Sequence, residues 1–445
     1  MKVMKFGGAI LRNGDGFTAM SKIIKSETEK PLIIIISAFS TATRALARSA
    51  RLAESGDEKG AMKLLDFIVS EHKTFAKDII KEKTHFHYLN QFYKETSERI
   101  RELLNGIYVT GDLTPRILDI VMSYGEYLAL QTVDSFLDEQ GISHTCIDAA
   151  SVIVTNSDYG KAKPNISETQ LNVNKILKPA LKDSGVVLVQ GFVARSTAGE
   201  LTTMGMESSN LTSALLANLL GASELVFWTD VDGIRTADPK IAKITLPVKS
   251  LSYSDAYTLG VNGLKLLYPG MFSLIEEKKI RTVFCSVYKP DGDYTEINIS
   301  NHNNKPILIY LEDLKLIKMS YKEYIGFKKQ ESARNSVFES FWTWSYPDFV
   351  IFFHNSASSK KIMPKNSSFQ LIEDMSGICI INFSDKSGEA INRISQKIYN
   401  VLAKKKYEKT NNLYLSLDNS TIRIAADKGA AFIIYNDLNN ALSKL

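Results

Sequence analysis

Short apolar runs, each about the length of one strand, alternate with helical stretches over the first 300 residues of this chain. The run at Pro31–Ser37 reads PLIIIIS and has no polar side to turn toward water. Runs of this kind are typical of parallel strands that are buried on both faces. Similar runs lie at Lys2–Phe6, Val186–Phe192, Leu225–Thr229 and Arg281–Val287. The alternation predicts an α/β fold built from βαβ units around a mostly parallel sheet.

Helical signals fill the segments between these runs. Residues 57–81 place apolar side chains at helical spacing. Thr114 followed by Pro115 marks a helix start, because a threonine can cap the first turn and proline fits the first helical position. We expect a long helix from this point through Glu126.

A second region follows the polar stretch Asn301–Pro306, which has the composition of a linker. The domain limits are therefore predicted as 1–300 and 301–445. Beyond the linker, β-α-β-β-α order is predicted, with a strand at Gly377–Phe383, a helix at Ser387–Lys404, strands at Leu413–Leu417 and Thr421–Ala425, and a strand and final helix within 431–445. A weaker copy of this order precedes it, so the region divides into units of about 306–370 and 371–445.

The composition is that of an ordinary globular protein, in which 54 Lys and Arg residues against 49 Asp and Glu residues leave a net charge of +5. The longest apolar run, Leu32–Ile36, is far shorter than the roughly 18 residues of a membrane-spanning helix. No signal-peptide pattern precedes the first strand. Cys146, Cys285 and Cys379 form no CxxC pair, which argues against a disulfide framework or a thiolate zinc site. We expect a soluble, cytoplasmic protein without a membrane partner.

Three other classes of function have little support in the sequence. The basic run Lys404–Lys406 is better explained as a solvated helix end than as a nucleic-acid site. The six histidines show none of the spacings typical of metal ligands, so no protein metal site is predicted. Ser37 has no nearby His and Asp in the sequence, so it is not predicted to be a nucleophile.

The first chemical signal is Lys5-Phe6-Gly7-Gly8, directly after the opening strand. Glycines lack a Cβ and let backbone N–H groups approach phosphate oxygens closely. A neighbouring lysine can neutralise charge on a transferring phosphoryl group. A plain tight turn would also explain the glycine pair, so both interpretations stay open on this motif alone.

The second signal is the segment that follows the predicted strand ending at Thr229. It contains three aspartates together with Gly233, Arg235 and Lys240. Ligands in open α/β sheets bind at the carboxyl ends of strands, which is where this loop would lie. Taken alone, the segment is equally compatible with a solvated loop.

Together with further blocks, these segments resemble the aspartate kinases of the amino-acid kinase superfamily. The blocks are KFGG at Lys5–Gly8, SAFSTAT at Ser37–Thr43, LTPR and SYGE within Leu113–Glu126, QGF at Gln190–Phe192, TTMG at Thr202–Gly205, TDVDGIRTADPK at Thr229–Lys240 and GLKLLYP at Gly263–Pro269. They follow the family's order, which a chance match to one motif would not reproduce. The resemblance implies a three-layer αβα kinase domain followed by two ACT-like α+β units, through which the chain forms a homo-oligomer.

The resemblance also implies an activity, the ATP-dependent phosphorylation of the side-chain carboxylate of L-aspartate to 4-phospho-L-aspartate. This is the first step toward lysine, threonine and methionine, and Mg²⁺ would be carried by the ATP phosphates. The implied catalytic residues are Lys5 and Asn210, the implied nucleotide-binding residues are Lys5, Phe6, Gly7, Gly8, Thr229, Asp230, Arg235, Lys240 and Lys265, and the implied aspartate-binding residues are Ser37, Thr43 and Glu126. Glu126 would meet the ammonium group. Attack of one anion on another requires cations and fixed geometry, and it requires no protein nucleophile.

The segment that usually reads TLGRGGSD in the family departs from that pattern here. Met206 replaces the arginine that grips the substrate carboxylate, Asn210 replaces an aspartate that organises the site, and Glu207 adds a negative charge. Two interpretations remain open. In the first, the chain is a divergent but active aspartate kinase, and another cation, such as Arg195 or Arg116, binds the substrate carboxylate. In the second, it is a kinase-like paralogue. Such a paralogue would act on another carboxylate or serve as an amino-acid sensor.

The ACT-like units imply regulation by an amino acid. Feedback by lysine or threonine is the hypothesis that follows. The predicted effector contact is the loop Ser384–Gly388. The sequence leaves the identity of the effector open.

Overall fold

The computed structural model describes residues 1–27, 31–39, 41–299, 305–333, 342–345, 348–354, 370–381, 389–404, 407, 410, 412–418 and 421–443. These residues form two compact units. The first contains the described residues of 1–234, 249–257 and 267–301, and the second contains those of 235–248, 258–266 and 302–445. The domain limits predicted at residues 300 and 370 stay predictions.

The first unit contains most of the helices and a mostly parallel sheet. Its strands are β1 (Lys2–Phe6), β2 (Leu32–Ile36), β3 (Thr145–Ile147), β4 (Val154–Thr155), β5 (Val186–Gln190), β6 (Val193–Ser196), β7 (Leu201–Thr203), β8 (Glu224–Thr229), β9 (Ser250–Ser252), β10 (Arg281–Ser286) and β11 (Lys289–Asn298). Among the described residues, eight of them form the main sheet in the order β3-β5-β2-β1-β8-β10-β11-β9. Neighbours in this sheet are parallel except for β10 and β11. Strands β4, β6 and β7 form a small separate sheet.

The helices up to residue 299 follow the alternation that the sequence predicts. They are α1 (Gly14–Ser26), α2 (Ala42–Glu54), α3 (Glu58–Ile79), α4 (Lys83–Thr110), α5 (Pro115–Glu139), α6 (Ala149–Val152), α7 (Ile166–Asn172), α8 (Lys178–Ser184), α9 (Ser209–Leu220), α10 (Tyr253–Val261) and α11 (Phe272–Glu277). A π-helical turn at Val173–Leu177 joins α7 to α8, and a 3₁₀ turn at Pro269–Met271 precedes α11. Thr114 caps α5 by accepting a hydrogen bond from the Ile117 N–H over 3.2 Å, with proline at the first helical position.

The predicted apolar runs form the centre of the main sheet. Every residue of β2 and β5 is buried. Met4, Phe6, Ile34 and Ile36 lie on the face that packs in one core with α1 to α5. Successive side chains of a strand point to opposite faces, so Val3 lies on the other face of the sheet. Helix α9 packs against β1, β2 and β8. The predicted αβα fold class with a mostly parallel sheet is therefore confirmed.

The second unit has α+β organisation. Its elements are β12 (Ile307–Ser320), α12 (Tyr321–Ala333), β13 (Trp342–Ser345), β14 (Phe349–His354), β15 (Gln370–Ile381), α13 (Glu389–Leu402), β16 (Leu413–Asp418), β17 (Thr421–Asp427) and α14 (Lys428–Leu442). In the part of the chain that the structure describes, six strands form an antiparallel sheet in the order β13-β14-β12-β15-β17-β16. The order from β15 to α14 is the predicted β-α-β-β-α.

The strand predicted within residues 431–445 is wrong, because α14 runs without interruption from Lys428 to Leu442. The apolar run AAFII suggested a strand, but burial along it has helical spacing. Ala431, Ile434 and Tyr435 are buried, whereas Phe432 is 49% exposed. Spacings of three and four residues place the buried side chains on one helical face.

Two short segments of earlier sequence pack within the second unit. The hydroxyl group of Tyr435 accepts a hydrogen bond from the Asp238 N–H over 2.8 Å and donates to the Leu308 carbonyl over 3.2 Å. Ala237 and Ala242 belong to the same apolar core as α13 and α14. Contacts between residues far apart in sequence therefore build this core.

None of the described helices is both long enough and apolar enough to cross a lipid bilayer.

Candidate active site

The carboxyl ends of four strands lie side by side at one edge of the main sheet. The parallel register pairs Phe6 of β1 with Ile36 of β2 and with Trp228 of β8, and it pairs Ile36 with Gln190 of β5. The loops that follow these strands therefore leave the sheet next to one another. This edge is where the predicted blocks KFGG, SAFSTAT, QGF and TDVDG begin their loops.

Lys5 supplies a positive charge at this edge. The protein packed around it disfavours the ammonium form and lowers its pKa to about 8, and the Glu207 carboxylate opposes this shift. Among the described residues, no carboxylate forms an ion pair with the Lys5 ammonium. A cation in this state is suited to an anionic ligand, because the ligand would supply the missing opposite charge.

The glycines after Lys5 leave space beside its ammonium. A Cβ on Gly7 would lie 3.5 Å from Lys5 Nζ and 3.5 Å from the Trp228 carbonyl oxygen. The Gly7 N–H donates to that carbonyl over 3.2 Å, whereas the Gly8 N–H has no acceptor within the described residues. The Phe6 side chain is fully buried and stacks on Trp228. Gly8 is therefore the glycine whose N–H remains open to a phosphate.

Glu126 is a buried carboxyl group on α5, with 4% exposure. Its Oε1 accepts a long hydrogen bond of 3.4 Å from Thr43 Oγ1 on α2, and its Oε2 has no partner among the described residues. Burial raises the pKa of Glu126 to about 8, against the effect of hydrogen bonds from its own backbone, Ala38 and Thr43. An ammonium ligand would supply both a charge and a donor to this group. Ser37, the third predicted substrate residue, directly follows β2 and is partly exposed.

Asp119 lies on the same face of α5 as Glu126, two turns earlier. Its buried carboxylate accepts hydrogen bonds from the Gly160 N–H at 2.9 Å, the Thr203 N–H at 2.9 Å and the Thr203 hydroxyl at 2.7 Å. These bonds fix the end of β7, where the loop to α9 begins. The sequence reasoning missed Asp119, although an acidic residue seven positions before Glu126 on a buried helix face is a readable signal.

The loop between β7 and α9 carries the departures from the family pattern. Met206 is 44% exposed, and Glu207 has a φ of 68° in the left-handed region. Asn210 is buried in the first turn of α9, and its N–H donates to the Glu207 carbonyl over 3.4 Å. Ser208 Oγ is buried without a hydrogen-bond partner in the described part of the chain. Because α9 packs on β1 and β2, this loop belongs to the same sheet edge as Lys5.

The loop after β8 is held by its own side chains. The Thr229 hydroxyl donates to the Val231 carbonyl over 2.9 Å and accepts from the Val231 N–H over 3.2 Å. Gly233 has a φ of 75°, and a Cβ there would come within 2.7 Å of the Thr295 backbone nitrogen. Asp230 is exposed at the start of the loop. Thr229 therefore shapes the loop, and Gly233 is required where the loop crosses β11.

Three of the predicted nucleotide-binding residues belong to the second unit. Arg235 donates from Nε to Thr245 Oγ1 over 2.6 Å and from Nη2 to the Thr245 carbonyl over 2.7 Å. Lys240 and Lys265 are exposed. Their roles in nucleotide binding stay predictions.

The described residues contain no group of three or more His, Cys, Asp or Glu side chains arranged to hold a metal ion. The first unit thus brings Lys5, Gly8, Thr43, Glu126 and Asn210 to one edge of a sheet. The charges at that edge suit a ligand with both an anionic and a cationic group.

A sequence model described as the amino acid kinase family matches residues 1–286, well over half of the chain. The chain belongs to the amino acid kinase family. The matched range of this amino acid kinase contains the whole sheet edge described above.

Relatives of this amino acid kinase include aspartokinases of bacteria and plants. It is 28% identical over 275 residues to lysine-sensitive aspartokinase 3 of Escherichia coli K12, a stretch that covers 60% of this chain and 57% of that protein. It is 28% identical over 297 residues to bifunctional aspartokinase/homoserine dehydrogenase 2 of Zea mays, covering 66% of this chain and 32% of that protein. The chain therefore spans between 32% and 57% of the length of these two relatives.

The fold of this amino acid kinase matches a solved structure over its whole length. Superposition on E. coli aspartokinase III in complex with aspartate and ADP (R-state) gives a TM-score of 0.82 at 20% identity and covers 100% of both chains. The same protein in complex with lysine and aspartate (T-state) gives a TM-score of 0.71 at 19% identity. The predicted fold class, a kinase domain followed by ACT-like domains, is thereby confirmed.

Proposed function

We propose that this amino acid kinase is an aspartate kinase that converts ATP and L-aspartate to ADP and 4-phospho-L-aspartate. One observation carries the proposal: within the described part of the chain, Lys5 has no acidic ion-pair partner and Glu126 has an acceptor oxygen without a donor, and both groups lie at the same sheet edge. The first group suits a phosphate, and the second suits the ammonium of an amino acid. The relatives named aspartokinase support this choice of substrate.

In the proposed reaction, an oxygen of the aspartate side-chain carboxylate attacks the γ-phosphorus of ATP. The bond from that phosphorus to the bridging oxygen breaks, and ADP leaves with the electron pair. The carboxylate is already ionised at neutral pH, so no base has to remove a proton. Lys5 would reduce the repulsion between the two anions and stabilise charge on the transferring group.

The sheet edge fits the phosphates of a nucleotide in two respects. The space that a Cβ on Gly7 would occupy lies beside Lys5 Nζ, and the Gly8 N–H has no acceptor in the part of the chain that the structure describes. Mg²⁺ bound to the nucleotide phosphates would neutralise part of their charge. The further contacts that we propose for the nucleotide are Phe6, Thr229, Asp230, Arg235, Lys240 and Lys265.

The amino-acid substrate would lie against α2 and α5. We propose that Glu126 receives its ammonium group, with Thr43 and Ser37 beside it. An ammonium next to Glu126 would lower the raised pKa of that carboxyl group. Asn210 would hold the reactants in place from the start of α9.

A second candidate is a kinase-like paralogue that acts on another carboxylate or senses an amino acid without turnover. The exposed apolar side chain of Met206 and the uncharged side chain of Asn210 favour this alternative. The presence or absence of aspartate-dependent turnover distinguishes the two candidates.

The second unit is proposed to bind an amino-acid effector and to form the contacts of a homo-oligomer in the cytoplasm. Its antiparallel α+β organisation supports a regulatory role. A structure of E. coli aspartokinase III contains lysine in the T-state, which supports an amino acid as the effector. The loop Ser384–Gly388, where the sequence predicted an effector contact, lies outside the described residues.

A coupled assay of ADP release with ATP, Mg²⁺ and L-aspartate tests the proposed activity. Parallel reactions contain L-glutamate in place of aspartate or no amino acid. We expect aspartate-dependent turnover that Lys5→Ala lowers by at least about 100-fold, as for other groups that stabilise charge in the transition state. Lys22→Ala, an exposed lysine on α1, serves as the matched control and should keep wild-type turnover.

Absence of turnover with every amino acid, while aspartate or ATP still binds, would overturn the proposed activity in favour of the sensor. Turnover with glutamate but not aspartate would change the substrate and keep the kinase. Turnover that survives Lys5→Ala would remove Lys5 from the catalytic role.

A further inference from the structure

Arg44 contacts the loop that carries Met206. It lies in the first turn of α2, and its Nη2 is 3.4 Å from Oε1 of Glu207. The Arg44 and Glu207 side chains are 67% and 42% exposed. The pair therefore lies at the open side of the sheet edge, where solvent and ligands reach it.

Two arginines were suggested by the sequence as replacements for the carboxylate-binding arginine that Met206 replaces. Both form contacts elsewhere. Arg116 Nη1 lies 2.8 Å from Oε1 of Glu200. Arg195 Nη1 donates to the Gly199 carbonyl over 2.9 Å. Neither contact involves the loop from Met204 to Ser208.

The Glu207 carboxylate acts on two cations at this sheet edge. It contacts Arg44 directly and acts electrostatically on Lys5. Its left-handed backbone, with a φ of 68°, is uncommon for a residue with a side chain. A carboxylate of the protein therefore lies against a cation that a carboxylate of a ligand could also use.

The covalent structure of an α-amino acid limits where its binding groups can lie. Its ammonium and carboxylate groups are bonded to one carbon, so their partners on the protein must also be close together. Thr43 touches Glu126, the proposed partner of the ammonium, and Arg44 is the next residue on the same helix. The Arg44 backbone thus lies beside Thr43, and its long side chain reaches Glu207 in the loop at the same sheet edge.

We propose that Arg44 binds the α-carboxylate of the amino-acid substrate and that Glu207 is the partner it releases when substrate binds. The proposal rests on the proposed function for the identity of the substrate. An exposed ion pair contributes little to stability, so exchange of one carboxylate for another is inexpensive. Arg44 is in this sense a specificity-determining residue, since it recognises a group that does not react.

The test compares L-aspartate with L-isoasparagine, its α-amide, which keeps the reacting side-chain carboxylate and loses the α-carboxylate. We expect wild-type kcat/KM to be at least about 10-fold lower for the amide, because a charge-assisted contact is lost. Arg44→Ala should lower kcat/KM for aspartate to a similar extent, mainly through KM, and should bring the two substrates within about 2-fold of each other. Arg44→Lys should restore part of the preference, since it keeps the charge but not the two-pronged geometry.

Arg51→Ala is the matched control, because Arg51 is an exposed arginine two turns further along α2. It should keep the wild-type preference. Glu207→Gln should lower KM for aspartate by about 2- to 5-fold, since it removes a weak competing carboxylate. The same change in the Arg44→Ala background should have no such effect.

Titration calorimetry of both compounds with wild type and Arg44→Ala separates this proposal from the proposed activity. An Arg44-dependent preference for aspartate in binding, without turnover, supports the role of Arg44 and overturns the kinase activity. Turnover in which Arg44→Ala keeps the full preference for aspartate over the amide overturns the role of Arg44 and keeps the activity. Binding of neither compound overturns both.

Discussion

At the scale of single residues, burial shifts the pKa values of two ionisable groups at the sheet edge, Glu126 and Lys5. Glu126 has a pKa of about 8, above its ordinary 4.5, and Lys5 has a pKa of about 8, below its ordinary 10.5. Desolvation is the larger cause in both cases, and it disfavours the charged form of each group. A site that is unfavourable for its own charges in the absence of ligand can gain from a ligand that supplies the opposite ones.

These shifts predict that the combined contribution of Glu126 and Lys5 to the stability of the ligand-free protein is lowest near pH 8. Between pH 4.5 and about 8, Glu126 keeps a proton in the folded state that the unfolded chain has released. The stability that this proton contributes is therefore lost as pH rises through that range. For Lys5 the unfolded chain binds more protons between about pH 8 and 10.5, so stability rises with pH in that range. Urea denaturation across this pH range measures both the fall and the rise in the free energy of unfolding.

Two variants show which residue causes each part of this pH profile. Glu126→Gln should reduce the fall in the free energy of unfolding below pH 8, and Lys5→Met should reduce its rise above pH 8. If both variants followed the wild-type profile, neither group would have the shifted pKa.

At the scale of secondary-structure elements, α5 carries the polar residues that organise the edge. Residues four and three positions apart, Asp119, Ser123 and Glu126, share the buried face of this helix. Asp119 fixes the end of β7, and Glu126 faces Thr43 on α2. One helix thus sets the position of the loop to α9 and places the buried Glu126 carboxyl group beside Thr43.

Asp119→Ala should destabilise the protein and disturb the loop that carries Met206. It leaves the N–H groups of Gly160 and Thr203 without an acceptor, and an unsatisfied buried donor costs about 1–3 kcal/mol. We expect the free energy of unfolding to fall by about 2–4 kcal/mol, measured by urea denaturation. Asp112→Ala, at an exposed aspartate just before α5, should change it by less than about 0.5 kcal/mol. Equal effects of the two variants would contradict the assigned role of Asp119.

At the scale of the whole molecule, the second unit is assembled from parts of the chain that are distant in sequence. Tyr435 joins α14 to Asp238 and to Leu308 of β12 through its hydroxyl group. Asn439 of the same helix donates to the Ile244 carbonyl over 2.7 Å. A chain ended at residue 300 would therefore leave residues 235–248 without these partners.

Tyr435→Phe should measure the strength of this connection. It removes the acceptor of the Asp238 N–H and the donor to the buried Leu308 carbonyl, and we expect a loss of about 1–3 kcal/mol in the free energy of unfolding. Tyr399→Phe changes a tyrosine that is 68% exposed on α13 and should change stability by less than about 0.5 kcal/mol. An unaltered urea midpoint for Tyr435→Phe would show that these bonds contribute little.

Much of the fold could be predicted because the signals that specify it are local. The run at Pro31–Ser37 is apolar at every position, and the structure buries all of β2. Thr114 and Pro115 predicted the start of α5, and in the structure the Thr114 side chain caps this helix. The tail was predicted wrongly because AAFII is apolar over a short run, where strand and helix patterns overlap.

For the candidate site, the sequence determined which chemical groups are present, namely Lys5, the glycines beside it, the carboxyl group of Glu126 and the altered residues Met206 and Asn210. It also determined that strands end just before these groups, because apolar periodicity acts over a few residues. Only the tertiary structure decided that Lys5 has no acidic ion-pair partner among the described residues, that Glu126 is buried, and that Arg44 rather than Arg116 or Arg195 contacts the loop that carries Met206. These properties depend on side chains more than eighty positions apart in the chain, such as Thr43 with Glu126 and Arg44 with Glu207. Desolvation and ion pairing are set by distances in space, which no local pattern of residues specifies.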